Sequence, residues 1–114
     1  MAGGTRRDND RMRLELLHIE DCPNTAKALE QVKAALAALG HEDVPAHTRH
    51  IKSPADTVGT GFAGSPTITA DGVDIFPDGA PSSDLACRIY LTPGGYAGVP
   101  TLDQLMKALT SYGL

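Results

Sequence analysis

The sequence predicts a single α/β domain: a central mixed β-sheet flanked by helices, in the order β-α-β-α-β-β-α. Three observations lead to this prediction. A short apolar run that suits a buried strand is followed directly by a long helical segment. A weaker strand candidate comes next, so the first half forms a βαβ unit whose strands are parallel. The dipeptide Asp71–Gly72, between two later strand candidates, then predicts an antiparallel hairpin at the sheet edge.

Length, composition and charge fit one ordinary intracellular domain. The chain has 114 residues, 41% of them hydrophobic, which is enough to bury a core without disulfides or a structural metal. A formal charge of −4 and the lack of a basic stripe argue against nucleic acid as a partner. No apolar run approaches the roughly 20 residues that cross a bilayer, and the N-terminus is too polar for a signal peptide. We therefore expect a cytoplasmic protein with no membrane partner.

The first third of the chain predicts a tail, a strand and a helix. Residues 1–12 are polar and are expected to form a disordered tail, so the domain is expected to span residues 13–114. The first strand is predicted over Arg13–Ile19. The most secure helix follows over about Asn24–Leu39, which is rich in Ala, Leu and Lys. Pro23 fits its first turn, where a missing N–H costs nothing.

The middle of the chain predicts a second strand and a second, shorter helix. The strand is predicted over Pro45–Ile51. Ser53 followed by Pro54 is typical of a helix start, with an N-cap hydroxyl and proline at the first helical position. This helix is expected to end near Gly59 or Gly61.

The last part predicts a hairpin, an irregular insertion and a final helix. The hairpin strands are predicted over Ser65–Ala70 and Val73–Phe76. Residues 77–100 are rich in glycine and proline and are expected to form a long irregular insertion. The final helix is predicted over Thr101–Tyr112, where Gln104 completes a capping box with the first residue.

Cys22 is the residue to which the sequence gives a chemical role. It lies between the first strand and the first helix, where unpaired backbone N–H groups and the helix dipole favour a negative charge. Such a position lowers the pKa of a thiol and supplies thiolate at neutral pH. The alternative is a structural cysteine that acts as a small buried hydrophobe. We expect Cys22 to be the reactive nucleophile.

Two segments carry a resemblance to a known superfamily. Cys22–Pro23–Asn24–Thr25 resembles the C-P-x-C active-site motif of glutaredoxins and related thioredoxin-fold proteins, with Thr25 in place of the second cysteine. Ser65–Pro66–Thr67 resembles the cis-proline segment of the same superfamily, which lies opposite the active cysteine and pairs by backbone with a thiol substrate. The resemblance implies a thioredoxin-like fold and a catalytic Cys22. The residues to which it assigns substrate binding are Pro23, Ser65, Pro66 and Thr67.

The missing second cysteine changes the expected chemistry. Without a resolving cysteine at position 25, Cys22 cannot form the local disulfide on which dithiol oxidoreductases turn over. Thr25 can instead donate a hydrogen bond to a Cys22 thiolate. Cys87, in the insertion beside the cationic Arg88, is the candidate for the missing partner. The alternative is an inert thiol, since a disulfide needs a Cα separation of ~4.4–6.8 Å that sequence alone does not provide.

Two functions therefore stay open. The first is a thiol-dependent redox protein with no cofactor, in which Cys22 attacks a protein or glutathione disulfide and Cys87 or glutathione resolves the intermediate. The rival is a non-catalytic binding module, or a protein that handles mercury or organomercurials through Cys22 and Cys87, since two thiolates suit soft metals. That inventory is similar to the one of organomercurial (alkylmercury) lyases, with Asp21 or Asp84 as proton donor. No histidine metal site is predicted, because the four histidines lack a metal-ligand spacing.

Overall fold

A four-stranded mixed sheet forms the centre of the molecule, in a computed structural model that describes residues 13–76 and 82–114. Its strands are β1 (Leu14–His18), β2 (Ala46–His50), β3 (Thr67–Ala70) and β4 (Val73–Asp74). They lie in the spatial order β2-β1-β3-β4. The central strand β1 is parallel to β2 and antiparallel to β3, and β3 is antiparallel to β4. The mixed sheet predicted from the sequence is thus present, with its single parallel pair where the βαβ unit was expected.

Two α-helices, α1 (Thr25–Ala38) and α2 (Leu102–Ser111), contact each other and cover one face of this sheet. Alternation along β1 and β3 sends every second side chain to this face. The main core joins those side chains to both helices, and its largest members are Leu14, Leu16, Leu36, Ile68, Leu105 and Leu109. This core sets the position of the α1 N-terminus at the end of β1.

The predicted helix boundaries agree closely with the structure at both helices. Asn24 is the N-cap of α1, so Pro23 precedes the helix and does not lie in its first turn as expected. At α2 the capping box is present. The Thr101 N–H donates to Gln104 Oε1 at 2.9 Å, and the Gln104 N–H donates to Thr101 Oγ1 at 3.1 Å.

The sequence predicted helices that flank the sheet, and the opposite face carries a loop with one short 3-10 helix in place of an α-helix. The segment after Ser53 forms only a four-residue 3-10 helix, Pro54–Thr57. The following glycines, Gly59 and Gly61, have φ values of +73° and +81°, which take the backbone out of the helical region. A second, smaller core lies under this loop, and its buried members are Leu17, Ile51 and Phe62.

The hairpin after β3 forms at the predicted turn. Asp71 and Gly72 both have positive φ, 53° and 84°, and Ala70 pairs with Val73 across them. The returning strand β4 is shorter than predicted.

The region predicted as an irregular insertion contains ordered structure among its described residues. Residues 82–88 run beside the loop that precedes β3. A hairpin of β5 (Tyr90–Thr92) and β6 (Gly95–Ala97) follows. Strands of three residues are too short to give a readable alternation, which explains why the sequence did not predict them. Residues 77–81 of this insertion and the predicted tail, residues 1–12, lie outside the described residues.

No helix in the part of the chain that the structure describes is long and apolar enough to span a membrane.

Candidate active site

Cys22 lies in the turn that joins β1 to α1, at the carboxyl end of the central strand. Asp21, with φ of +59°, turns the chain there, and aspartate is one of the residues that tolerate this conformation. The Thr25 N–H donates to the Cys22 carbonyl at 3.3 Å, which closes the turn onto the helix. The Cys22 side chain is half-buried beside the first N–H groups of α1.

The Ser65 hydroxyl links Cys22 to the sheet. Ser65 is fully buried, and its peptide bond to Pro66 is cis. Its Oγ accepts a hydrogen bond from the Ile19 N–H at 3.1 Å and also interacts with the Cys22 sulfur. A hydroxyl has one proton to donate, and since Oγ is already the acceptor for Ile19, that proton is available to the sulfur. Ser65 therefore acts as a fixed donor towards Cys22.

Hydrogen bonds lower the pKa of Cys22 below its ordinary value. Burial alone raises the pKa of this thiol. The Ser65 and Thr25 side chains and the backbone N–H groups of Asn24 and Thr25 lower it, and together they outweigh burial. Thr25 Oγ1 is buried and has no hydrogen-bond partner among the described residues. A Cys22 thiolate supplies that hydroxyl with an acceptor, so ionisation satisfies a buried polar group.

Backbone pairing brings Cys87 beside the same serine. The Ser65 N–H donates to the Ala86 carbonyl, and the Arg88 N–H donates to the Ser65 carbonyl, both at 2.8 Å. Ser65 and Cys87 are thereby partners in a parallel β-bridge. Partners on neighbouring strands lie about 4.8 Å apart and carry their side chains on the same side. Cys87 is exposed, and both cysteines are free thiols.

Arg88 was expected to favour a thiolate at its neighbour Cys87, but its guanidinium binds other groups. Its guanidinium donates to Asp74 Oδ2 at 2.8 Å and to the Phe76 carbonyl at 3.0 Å. It also lies 4.5 Å from the centre of the Tyr90 ring. The side chain is 5% exposed, so Arg88 is an anchor that fixes the segment carrying Cys87.

Of the other predicted site residues, Pro66 and Thr67 are buried and Pro23 is exposed. Pro66 is buried next to Ser65, and its carbonyl accepts a hydrogen bond from the Tyr90 hydroxyl. Thr67 is fully buried, and its hydroxyl accepts from the Ala63 N–H and donates to the Gly64 carbonyl, so it supports the loop before β3. Pro23 is exposed at the start of the Cys22 turn.

A groove of about 330 Å³ opens at Cys22, lined by His18, Ile19, Glu20, Asp21, Cys22, Thr25 and His50. The rings of His18 and His50 are stacked there, with centroids 5.3 Å apart and planes inclined by 1°. Sequence reasoning missed both histidines, because only the register of β1 against β2 pairs position 18 with position 50. It also gave Ser65 a docking role and missed its hydroxyl as a donor to Cys22.

Metal-binding geometry is limited in this region. Within residues 13–76 and 82–114, no three His, Cys, Asp or Glu side chains are arranged to hold a metal ion. What the structure offers a soft metal is the two cysteines, each of which lies near Ser65. Asp21 lines the Cys22 groove, whereas Asp84 is exposed on the segment before Cys87.

Comparison with known proteins gave no match: no family model, no curated protein and no solved structure is similar to this chain.

Proposed function

We propose that this chain is a thiol-dependent redox protein of thioredoxin-like type, in which Cys22 exchanges with disulfides. The observation that carries the proposal is the place of Cys22, half-buried in the turn before α1, beside the Ser65 and Thr25 hydroxyls and the first backbone N–H groups of the helix. These donors lower the pKa of the thiol, and the thiolate is the form that attacks a disulfide.

The reaction proceeds in two exchanges. The Cys22 thiolate attacks one sulfur of a substrate disulfide, a new S–S bond forms, and the other substrate sulfur leaves as a thiolate that takes a proton from water. The Cys87 thiolate then attacks the Cys22 sulfur and releases the second substrate thiol. One substrate disulfide is reduced to two thiols, and the two protein thiols are oxidised to a Cys22–Cys87 disulfide. A small thiol such as glutathione reduces that disulfide by the reverse exchanges.

The resolving role of Cys87 rests on its partnership with Ser65. The serine that donates to Cys22 is also the backbone partner of Cys87. The separation of the two cysteines along the chain is no obstacle, because the entropy of closing a loop grows only logarithmically with its length.

Oxidation by glutathione disulfide followed by intact-mass measurement tests the proposal. The wild type is expected to lose two hydrogens and to retain no glutathione. Cys87→Ala is expected to accumulate one glutathione as a mixed disulfide on Cys22, because nothing resolves it, and Cys22→Ala is expected to form neither product. If both thiols of the wild type stay free and unmodified, the proposed function is wrong.

A second candidate function is binding of mercury or an organomercurial as cargo or substrate. It is favoured by the same pair of cysteines beside Ser65, because two thiolates are suitable ligands for a soft metal. The expected result is one Hg²⁺ per wild-type chain and clearly weaker binding by Cys87→Ala. Equal binding by the two proteins would leave Cys87 without a role in this candidate.

A further inference from the structure

We propose that Cys22 reacts with low-molecular-weight disulfides and excludes extended polypeptides, because residues 86–88 of the same chain occupy the strand edge beside it. This inference rests on the proposed function and names its substrate class.

Residues 86–88 already occupy the strand edge at Ser65. An extended peptide binds beside a strand by pairing with backbone N–H and C=O groups that are still free. At Ser65 both groups are already used, by the Ala86 carbonyl and the Arg88 N–H, each at 2.8 Å. A polypeptide substrate can therefore reach Cys22 along this edge only by displacing part of the protein.

Side-chain contacts hold residues 86–88 in place beside Ser65. Arg88 is buried and its guanidinium binds Asp74 and the Phe76 carbonyl. Gly64 contacts it so closely that a Cβ at this glycine would lie 2.9 Å from the Arg88 Cβ. Two residues later, the Tyr90 hydroxyl donates to the Pro66 carbonyl. The pairing with Ser65 is therefore held by side-chain contacts on both sides of the backbone.

Two adjoining grooves remain open beside Cys22. The Cys22 groove, of about 330 Å³, adjoins a second groove of about 490 Å³, and the two share Ile19, Glu20 and His50. The second groove is completed by Ile51, Lys52 and Leu85. These volumes are in the range of small-molecule sites. The occupant that the site fits is a small disulfide whose reacting sulfur meets Cys22 and whose remainder lies along Ile19.

The test compares two disulfides in a Cys87→Ala background, so that only the first exchange is measured. The probes are glutathione disulfide and a disulfide-linked dimer of a ten-residue extended peptide with a central cysteine. We expect glutathione disulfide to react about tenfold faster, because the extended peptide can pair at this edge only after the two backbone hydrogen bonds at Ser65 are broken, and two net hydrogen bonds are worth roughly that factor.

Loosening the anchor should open the edge. Arg88→Ala, and the milder Asp74→Asn should the first variant fail to fold, are expected to raise the peptide rate several-fold and to leave the glutathione disulfide rate unchanged. Arg49→Ala is the matched control, because Arg49 pairs with Glu15 at 3.2 Å on a different part of the sheet. It is expected to change neither rate.

The outcomes separate the two proposals. Equal rates for both probes in the parent protein, or an unchanged ratio in the anchor variants, would overturn the inference and leave the proposed function standing. Reaction with neither probe would overturn both.

Discussion

Replacing Ser65 with alanine tests the hydrogen-bond network at Cys22 most directly. The Ser65 hydroxyl accepts from the Ile19 N–H at 3.1 Å and interacts with the Cys22 sulfur, so one deleted oxygen affects two groups. A buried donor left without an acceptor costs about 1–3 kcal/mol of unfolding free energy. Because Ile19 is only partly buried, we expect a loss near the lower end, about 1 kcal/mol.

The second effect of Ser65→Ala is on the acidity of Cys22. Among the groups that lower the pKa of this thiol, the Ser65 hydroxyl contributes most. Without it, burial is opposed only by Thr25 and the backbone N–H groups, so the pKa of Cys22 should rise. The assay is the rate of alkylation by iodoacetamide as a function of pH, in a Cys87→Ala background where Cys22 is the one thiol. Unfolding in urea measures the stability of the same proteins.

Two matched variants separate acidity from stability. Thr25→Val removes the other hydroxyl near the sulfur, and it should raise the pKa of Cys22 without loss of stability, because Thr25 Oγ1 has no hydrogen-bond partner among the described residues. Thr69→Val removes the buried hydroxyl of Thr69 on β3, which likewise has no partner there, and should leave the pKa of Cys22 unchanged without loss of stability. The reasoning fails if the parent protein titrates near the ordinary value of about 8.5. It fails equally if Ser65→Ala leaves the alkylation midpoint unchanged.

Two further predictions concern pH and the core. Because the pKa of Cys22 is lowered in the folded state, its ionisation stabilises the fold fully above the unfolded-state pKa of about 8.5, and this contribution is lost as pH falls through the folded-state pKa. The difference in unfolding free energy between wild type and Cys22→Ser, measured in urea under reducing conditions, should therefore shift in favour of the wild type as pH rises over that interval; a flat difference would contradict it. Leu105→Ala should cost about 2–5 kcal/mol, since this side chain is 0% exposed between α2 and the sheet. A loss below about 1 kcal/mol in thermal or urea unfolding would show that the site is loosely packed.

Local signals explain which parts of the fold could be predicted from the sequence. The turn at Asp71–Gly72 and the capping box of Thr101 with Gln104 each depend on residues within three positions of one another, and both are present. The short helix after Ser53 is a four-residue 3-10 helix, because the chain becomes extended at Val58 (ψ 126°). The thioredoxin-like family assignment stays a prediction.

Local patterns predicted only one half of the candidate site, and the place of Ser65 opposite Cys22 was predicted from the resemblance alone. Cys22 and Thr25 share one turn, so their proximity follows from the start of α1. The hydrogen bond between Ile19 and Ser65 spans 46 positions, and the stacking of His18 on His50 depends on strand register. Neither leaves a periodic signal in the sequence, because each depends on how distant segments align after the chain has folded.

Ser65 acts in the site through both its side chain and its backbone. This double role determines which property of the site can change during evolution. Ser65 affects thiol acidity through its side chain and holds the segment of Cys87 through its backbone. Side-chain replacement at position 65 can therefore tune how reactive Cys22 is while the two cysteines keep their spacing. Position 64 has no such freedom, because its φ of +106° favours glycine and any Cβ there would collide with Arg88. Homologous chains that diverge in reactivity should vary at position 65 and retain glycine at position 64.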